Sequence, residues 1–309
     1  MKRKVDICFV VLHYMDLELT RRTILSIRKL QNIQNSKIII VDNNSPNKSG
    51  ITLKEQYQKD DIIDVLLLKT NDGFSVGNNA GYRWCRDRYD MDFVVAVNND
   101  VTFEEKDFIK KLYYCYEQEE FYVAGPDIYI PHRYYHQSPI SPKLRTAKDM
   151  LEAIEDGYKR EKEYKKVFSI KIYRKYLADV LRDNKLMIKC MGVYRKARPQ
   201  RNIKWKDVQE GAVLQGACII FSRKYCQMNS VLFEPLTFMY GEEDFLTLKC
   251  MKNHWKIIYL PQLKVFHVNK GSTINNKISY REFCRKTGNS IAKYREAQKI
   301  YINEYKKYE

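Results

Sequence analysis

Phe93-Val94-Val95-Ala96-Val97-Asn98-Asn99-Asp100 is the stretch on which the fold turns. A short apolar run bounded by polar residues reads as a strand buried in a parallel sheet, and such sheets present ligands at the carboxyl ends of their strands. At this end stands Asn-Asn-Asp, a compact set of hard oxygen donors. Mg2+ or Mn2+ takes one or two carboxylates together with phosphate oxygens rather than a full protein cage. The stretch therefore points to a divalent metal holding a diphosphate. Asn-Asn-Asp is also ordinary turn chemistry, so the surrounding chain has to decide between the two.

Upstream, strands and helices alternate in the βαβ manner. Strands are expected over residues 7–12, 38–41, 65–68 and 93–97, with helices over 17–30 and 76–88. Each strand stops at polar residues: His13, Asp42, Asn71-Asp72 and Asn98-Asn99-Asp100. In an open sheet these ends face one crevice. Downstream, a helix at 108–118 and a strand at 122–124, closed by Gly125-Pro126, continue the rhythm. Residues 131–210 break it with a Pro/Tyr/His loop and basic, tyrosine-rich helical segments. It resumes with a strand at 216–222, a helix at 241–253, strands at 257–260 and 264–268, and a charged helical tail beyond 279. The expected organisation is one α/β domain over 1–276, with 131–210 as a basic, mostly helical insertion, and a tail over 277–309.

A chain of 309 residues can bury a sizeable core. Its net charge of +17 calls for an anionic partner. Residues 143–206 hold 20 Lys/Arg against 8 Asp/Glu, so the excess is concentrated there. An anionic membrane face and nucleic acid are the candidates, and a merely solvated helix surface competes with both. No nucleic-acid recognition motif is present, and strand-end acids repel phosphate without a metal, which disfavours nucleic acid. No stretch approaches the 18 apolar residues of a membrane span. The basic start, Met1-Lys2-Arg3-Lys4, leads into an apolar run bracketed by Asp6 and His13 with no small-residue cleavage site, so no signal peptide is expected. The eight scattered cysteines lack CxxC spacing and read as buried free thiols of a reducing cytosol.

Four further constellations carry chemistry. Asp42 can accept the imide N–H of uracil or thymine, although Asp-Asn-Asn-Ser is also a common turn. Asn71-Asp72-Gly73-Phe74-Ser75-Val76-Gly77-Asn78-Asn79-Ala80-Gly81 combines glycines that admit a ligand with asparagines at a helix start, which suits anionic groups. It lacks the Gly-Lys-Ser/Thr of a P-loop. Tyr240-Gly241-Glu242-Glu243-Asp244 gathers acids where the helix macrodipole favours them and where a general base could sit. His267, on a strand before Lys270-Gly271-Ser272-Thr273, is either structural or completes a metal or diphosphate site with Asp100.

Taken in order, these strings resemble the inverting family-two glycosyltransferases of the GT-A fold, and among them the rhamnosyltransferase-like bacterial enzymes. The resemblance covers residues 5–130 and 211–275 and includes Gly-Ala-Cys-Ile-Ile-Phe-Ser-Arg from Gly216 to Arg223. It implies a Rossmann-like mixed sheet flanked by helices and a Mg2+ or Mn2+ cofactor. Asp100 and His267 would serve the metal, and His13, Asp42, Asn71, Gly73, Phe74, Asn78, Asn98 and Asn99 the nucleotide-sugar. The base would come from Glu242, Glu243 or Asp244: by register Glu243, with Asp244 as the alternative. Two departures stand out. Asn98 replaces the first Asp of the usual metal motif, and Glu243 replaces the Asp of the usual Glu-Asp pair. The implied reaction is a single displacement from dTDP-β-L-rhamnose, or second a UDP-sugar, onto a saccharide or lipid-linked saccharide acceptor. It would proceed in the cytoplasm at the inner face of the plasma membrane, where Tyr158, Tyr164, Tyr173, Tyr176 and Trp205 of the basic segment would meet an anionic bilayer. A silent nucleotide-sugar binder and a nucleic-acid-binding protein on an α/β scaffold are the rival readings.

Overall fold

The first strand, β1 (Arg3–His13), and its neighbours explain why the apolar runs read as they do. The computed structural model describes residues 2–180, 204–268 and 278–308. In chain order the elements after β1 begin with α1 (Leu17–Arg28), β2 (Lys37–Asp42), α2 (Ser49–Tyr57), β3 (Ile63–Leu67), α3 (Phe74–Arg88), β4 (Tyr89–Asn98) and β5 (Val101–Thr102). Then come α4 (Phe108–Glu119), β6 (Val123–Ile130), β7 (Tyr135–His136), α5 (Ala147–Tyr164), α6 (Ile170–Val180), β8 (Gln209–Glu210), β9 (Cys218–Ser222), α7 (Arg223–Met228), α8 (Glu242–Lys252), β10 (Ile257–His267) and α9 (Tyr280–Lys306).

They form one mixed sheet in the order β3-β2-β1-β4-β9-β6-β10-β5, with β7 added to β6 and β8 to β10. β1 is parallel to β2 and β4, and β9 runs antiparallel between β4 and β6. Successive side chains of a strand point to opposite faces, so each central strand feeds two cores. Ile7, Phe9, Val95 and Val97 pack under α1 and α4, while Val10, Val41, Val94 and Ala96 pack under α3 and α7. A Cβ on Gly81 of α3 would meet Val10 at 2.5 Å and Val41 at 2.7 Å, so this glycine lets the helix lie close to the sheet. A third core joins Met150 and Ile154 of α5, Phe245 and Leu248 of α8, and Tyr301 and Ile302 of α9.

The mixed, helix-flanked sheet and the C-terminal helix are as expected, with differences of detail. The strand read as ending at Gly125-Pro126 continues to Ile130. β9 leaves β6 after Ala124, so the missing N–H of Pro126 costs no ladder bond on that side. The two strands read at 257–260 and 264–268 are the single β10, whose register against β6 shifts between Leu260 and Lys264, around Pro261. α3 begins at Phe74, two residues early, and α2 escaped notice because its buried face is only Ser49, Gly50, Leu53 and Tyr57. Among the described residues seven cysteines, including Cys8, Cys115, Cys218, Cys250 and Cys284, are free and buried. No helix among the described residues is long and apolar enough to cross a membrane.

Candidate functional site

The parallel register sets His13 beside Asp42 and Leu12 beside Asn98, so the ends of β1, β2 and β4 lie side by side. His13 is fully buried, and this desolvation pushes its imidazole below the usual histidine value despite the nearby Asp42 and Asp16 carboxylates. The neutral ring lies 2.6 Å from Thr20 Oγ1 through Nδ1 and 2.8 Å from Ser49 Oγ through Nε2. Thr20 spends its own proton on the Asp16 carbonyl, so it accepts from Nδ1 and also from Asn99 Nδ2 at 3.0 Å. His13 and Asn99 are thereby tied to α1, and Asn99 shapes the turn that carries Asp100. Asp42 accepts the Ser45 N–H and lies against the first turn of α2, where a Cβ on Gly50 would be 2.2 Å from its Cγ.

Asn71 closes the next loop: its Oδ1 accepts from Asn43 Nδ2 at 2.9 Å and from the Gly73 N–H at 3.2 Å. Gly73 has φ 95°, and a Cβ there would stand 1.9 Å from the Phe238 carbonyl oxygen. The Phe74 N–H donates to that same oxygen. Asn79 pins the stretch before it, donating to the Phe233 carbonyl and accepting the N–H groups of Leu232 and Phe233. Gly77 faces Leu12, whose Cδ1 would be 2.5 Å from an added Cβ. Asn78 donates to the Phe74 carbonyl, while its Oδ1 and that of Asn43 are buried without a partner. A buried acceptor left unmade is costly, and two in one crevice fit a ligand that brings O–H or N–H groups, such as a nucleoside.

β5 pairs with the end of β10, matching Val101 with His267, and this brings Asp100 to the histidine. Asp100 Oδ1 is 3.0 Å from His267 Nε2. The other ring nitrogen, Nδ1, is 2.7 Å from Gln137 Oε1. With Nδ1–H donating to Gln137, the Nε2 lone pair and the Asp100 carboxylate face each other, a donor set that fits a divalent cation. No group of three or more metal-ligating side chains occurs among the described residues. Further ligands would come from diphosphate and water. Removing the orienting partner in Gln137→Leu is expected to weaken Mn2+ binding in the presence of nucleotide by about 10- to 100-fold. Calorimetric titration of Mn2+ checks this, and an unchanged affinity would show that Gln137 does not orient the ligand.

Tyr240 and Gly241, both at positive φ, reverse the chain immediately before α8. Glu242 is buried with Oε1 unpartnered, and desolvation, reinforced by Glu243, pushes its carboxyl up to about 7. Glu243 is half-buried, accepts the Gly216 N–H at 3.1 Å, and is also raised, chiefly by desolvation. Asp244 is buried in a two-pronged pair with Arg145: Nε reaches Oδ1 at 2.8 Å and Nη2 contacts Oδ2. Arg145 Nη1 donates to the Tyr294 hydroxyl of α9 at 2.9 Å. A cavity of 260 Å³ connects Phe74, Asn98, Gln215, Glu242, Glu243 and Tyr294, so the start of α3, the end of β4 and the acidic turn share one space.

Gln137, Arg145 and Tyr294 were not read from the sequence. Each is an isolated polar residue outside any pattern; Arg145 alone is signposted, by the Thr146-x-x-Asp149 capping box that follows it. The aromatics expected at a bilayer divide: Tyr158 and Tyr173 are exposed, whereas Tyr164 is buried and Trp205 and Tyr176 are engaged with neighbouring rings. Trp205 stacks on His136 at 3.5 Å, and Tyr164 and Tyr176 pack against Phe283. Residues 181–203 and Lys270-Gly271-Ser272-Thr273 lie outside the described residues.

The family model Glycosyl transferase family 2 matches residues 8–182. No curated protein matches the chain. Among solved structures, S. aureus TarS 1-349 is similar at 14% identity and TM-score 0.50, over 85% of this chain and 60% of that one. TarS 1-349 in complex with UDP-GlcNAc is similar at 13% and 0.52, over 97% and 71%. The mannosyltransferase PcManGT from Pyrobaculum calidifontis, in complex with GDP-Man and Mn2+, is similar at 11% and 0.52, over 87% and 59%. At these identities the likeness is one of fold. The chain spans about 60% of the length of the first of them.

Proposed function

The chain belongs to glycosyl transferase family 2, and on that premise we propose that it is an inverting, metal-assisted transferase of a sugar from a nucleoside diphosphate. The observation that carries this reading is the cavity shared by Phe74 of the 71–81 loop, Asn98 at the end of β4 and the acidic start of α8, with Asp100, two residues beyond Asn98, paired to His267. Asp42, Asn71, Gly73, Phe74 and Asn78 hold the pyrimidine nucleotide and sugar, with Asn98 at the cavity wall. His13 and Asn99 act through α1 by fixing the two strand ends. Asp100 and His267 would hold Mg2+ or Mn2+, which would supply positive charge against the departing diphosphate.

Glu243 is the general base that takes the proton of the acceptor hydroxyl, which attacks the anomeric carbon from the opposite face. Asp244 is less suited to that role because Arg145 already occupies both of its oxygens. Glu242 is the more enclosed of the two glutamates, and its carboxyl, raised to about 7, holds a proton across much of the acidic range. The leading donor is dTDP-β-L-rhamnose on the motif resemblance, with a UDP-sugar second; TarS with UDP-GlcNAc supports a UDP-linked donor as reasonable for the fold. The acceptor is a saccharide, lipid-linked, in cell-surface polysaccharide synthesis at the inner face of the plasma membrane.

Calorimetry of dTDP and UDP binding, with and without Mn2+, tests the reading on wild type and Asp100→Ala. Mn2+ should tighten binding in the wild type roughly tenfold or more, a gain the variant loses. If neither nucleotide binds under any condition, the transferase reading is wrong.

A further inference from the structure

The far end of α5 bears a surface that the transferase site does not use. A cavity of 720 Å³ lies between the end of α5 and the start of α9, bounded by Tyr164, Lys165, Lys166, Tyr280, Arg281 and Arg285. At its rim the connection to α6 projects Val167, Phe168 and Ile170, which are 100%, 57% and 66% exposed. Phe168 is supported from the side by Tyr173 and Tyr280, with ring centroids 5.5 and 5.9 Å away, so it is braced while it stays in solvent. From Lys159 to Lys175 the chain has eight Lys/Arg against two Asp/Glu. The two acids are spent: Glu161 pairs with Lys165 and Arg295, and Glu163 with Lys166. Arg281 and Arg285 have no acidic partner among the described residues.

We propose that this face, the 165–170 connection with the outer side of α6 and the start of α9, docks the protein on an anionic lipid bilayer. A cluster of exposed apolar side chains alone would be a liability in water. Ringed by cations it fits the boundary between headgroups and acyl chains, where Phe168, Val167 and Ile170 enter the apolar layer and Lys165, Lys166, Arg281 and Arg285 meet phosphates. On α6, Ile172 is buried inward while Lys171, Arg174 and Lys175 are exposed together with Tyr173 and Leu177, which extends the same mixed face. The aromatics that matter are therefore Phe168 and Tyr173, not Trp205. The proposal deepens the reading of a lipid-linked acceptor, and its test does not depend on catalysis.

Co-sedimentation with vesicles of phosphatidylcholine, alone or with roughly one-third phosphatidylglycerol, decides it. The wild type should bind the anionic vesicles at least tenfold more tightly than the neutral ones. A Lys165→Ala/Lys166→Ala/Arg281→Ala/Arg285→Ala variant should lose tenfold or more, given about fivefold per basic residue near an anionic surface. A Val167→Ser/Phe168→Ser/Ile170→Ser variant should also bind more weakly, and the binding that remains, carried by the cations alone, should fall at least as steeply as that of the wild type on raising salt. Nucleotide binding, measured on the same samples, should be unchanged in both, which certifies the fold and separates this proposal from that of the donor site. Undiminished vesicle binding in both variants would overturn it. So would no preference for the anionic vesicles, or RNA binding by this face in place of vesicles.

Discussion

Glu243→Gln is expected to lower kcat by about 10²- to 10⁴-fold, the contribution of a positioned general base, while leaving dTDP or UDP affinity within about twofold. Glutamine keeps the side-chain oxygen that accepts the Gly216 N–H, so the acidic turn keeps its shape and only the proton acceptor is lost. The pH dependence gives the sign. A base works deprotonated, and burial raises the Glu243 proton affinity above the ordinary carboxylate range. The value of kcat/KM should therefore rise with pH along a limb lying above that range, and the residual activity of Glu243→Gln should lack the limb. Steady-state rates across pH check this. Full turnover in Glu243→Gln, or a limb that disappears in Glu242→Gln instead, would remove Glu243 from the role.

Asp244→Ala is expected to fail differently, by destabilising the protein by about 3–5 kcal/mol. The carboxylate and Arg145 form a pair that is buried on the Asp244 side, and Arg145 is held in turn by Tyr294. Removing one partner leaves a desolvated guanidinium without its counter-charge. The double change Arg145→Met/Asp244→Leu removes both charges and should recover most of the loss, so the two single effects will be far from additive. Urea denaturation midpoints measure this. If Asp244→Ala keeps wild-type stability yet loses transfer, the ion pair is not structural and the base belongs to Asp244.

How much of this was legible in the sequence follows from the range of the interactions. β1, β2 and β4 announce themselves because burial on both faces forces an unbroken apolar run, and their polar ends mark the crevice. β6 was cut short because Pro126 is a reliable stop only where both neighbours need its N–H, and here one neighbour has already left. α2 hides because it gives the core only Leu53 and Tyr57, while its first turn lies on the Asp42 carboxylate through a glycine. Asp100 and His267 could be matched through the order of motifs, but their contact depends on the short β5–β10 pairing. Spacing along the chain carries no trace of that pairing. The Arg145–Asp244 pair spans 99 positions, and a lone arginine in a basic, irregular segment gives no hint of which acid it will meet.

The clasp between Gly73 and Phe238 has a consequence for anyone wishing to change the sugar this protein handles. Because the Phe238 oxygen fills the space of a side chain on residue 73, and Asn79 grips the backbone at 232–233 from 154 positions away, residues 71–81 and 232–241 make a single exchangeable part. Grafting the first stretch alone from another protein would import a loop with nothing to close on. Grafting both would also move Gly241, the residue that starts the acidic helix. On the roles proposed above, donor choice and base placement would be mechanically linked, and a redesign of one would have to be selected with the other in view.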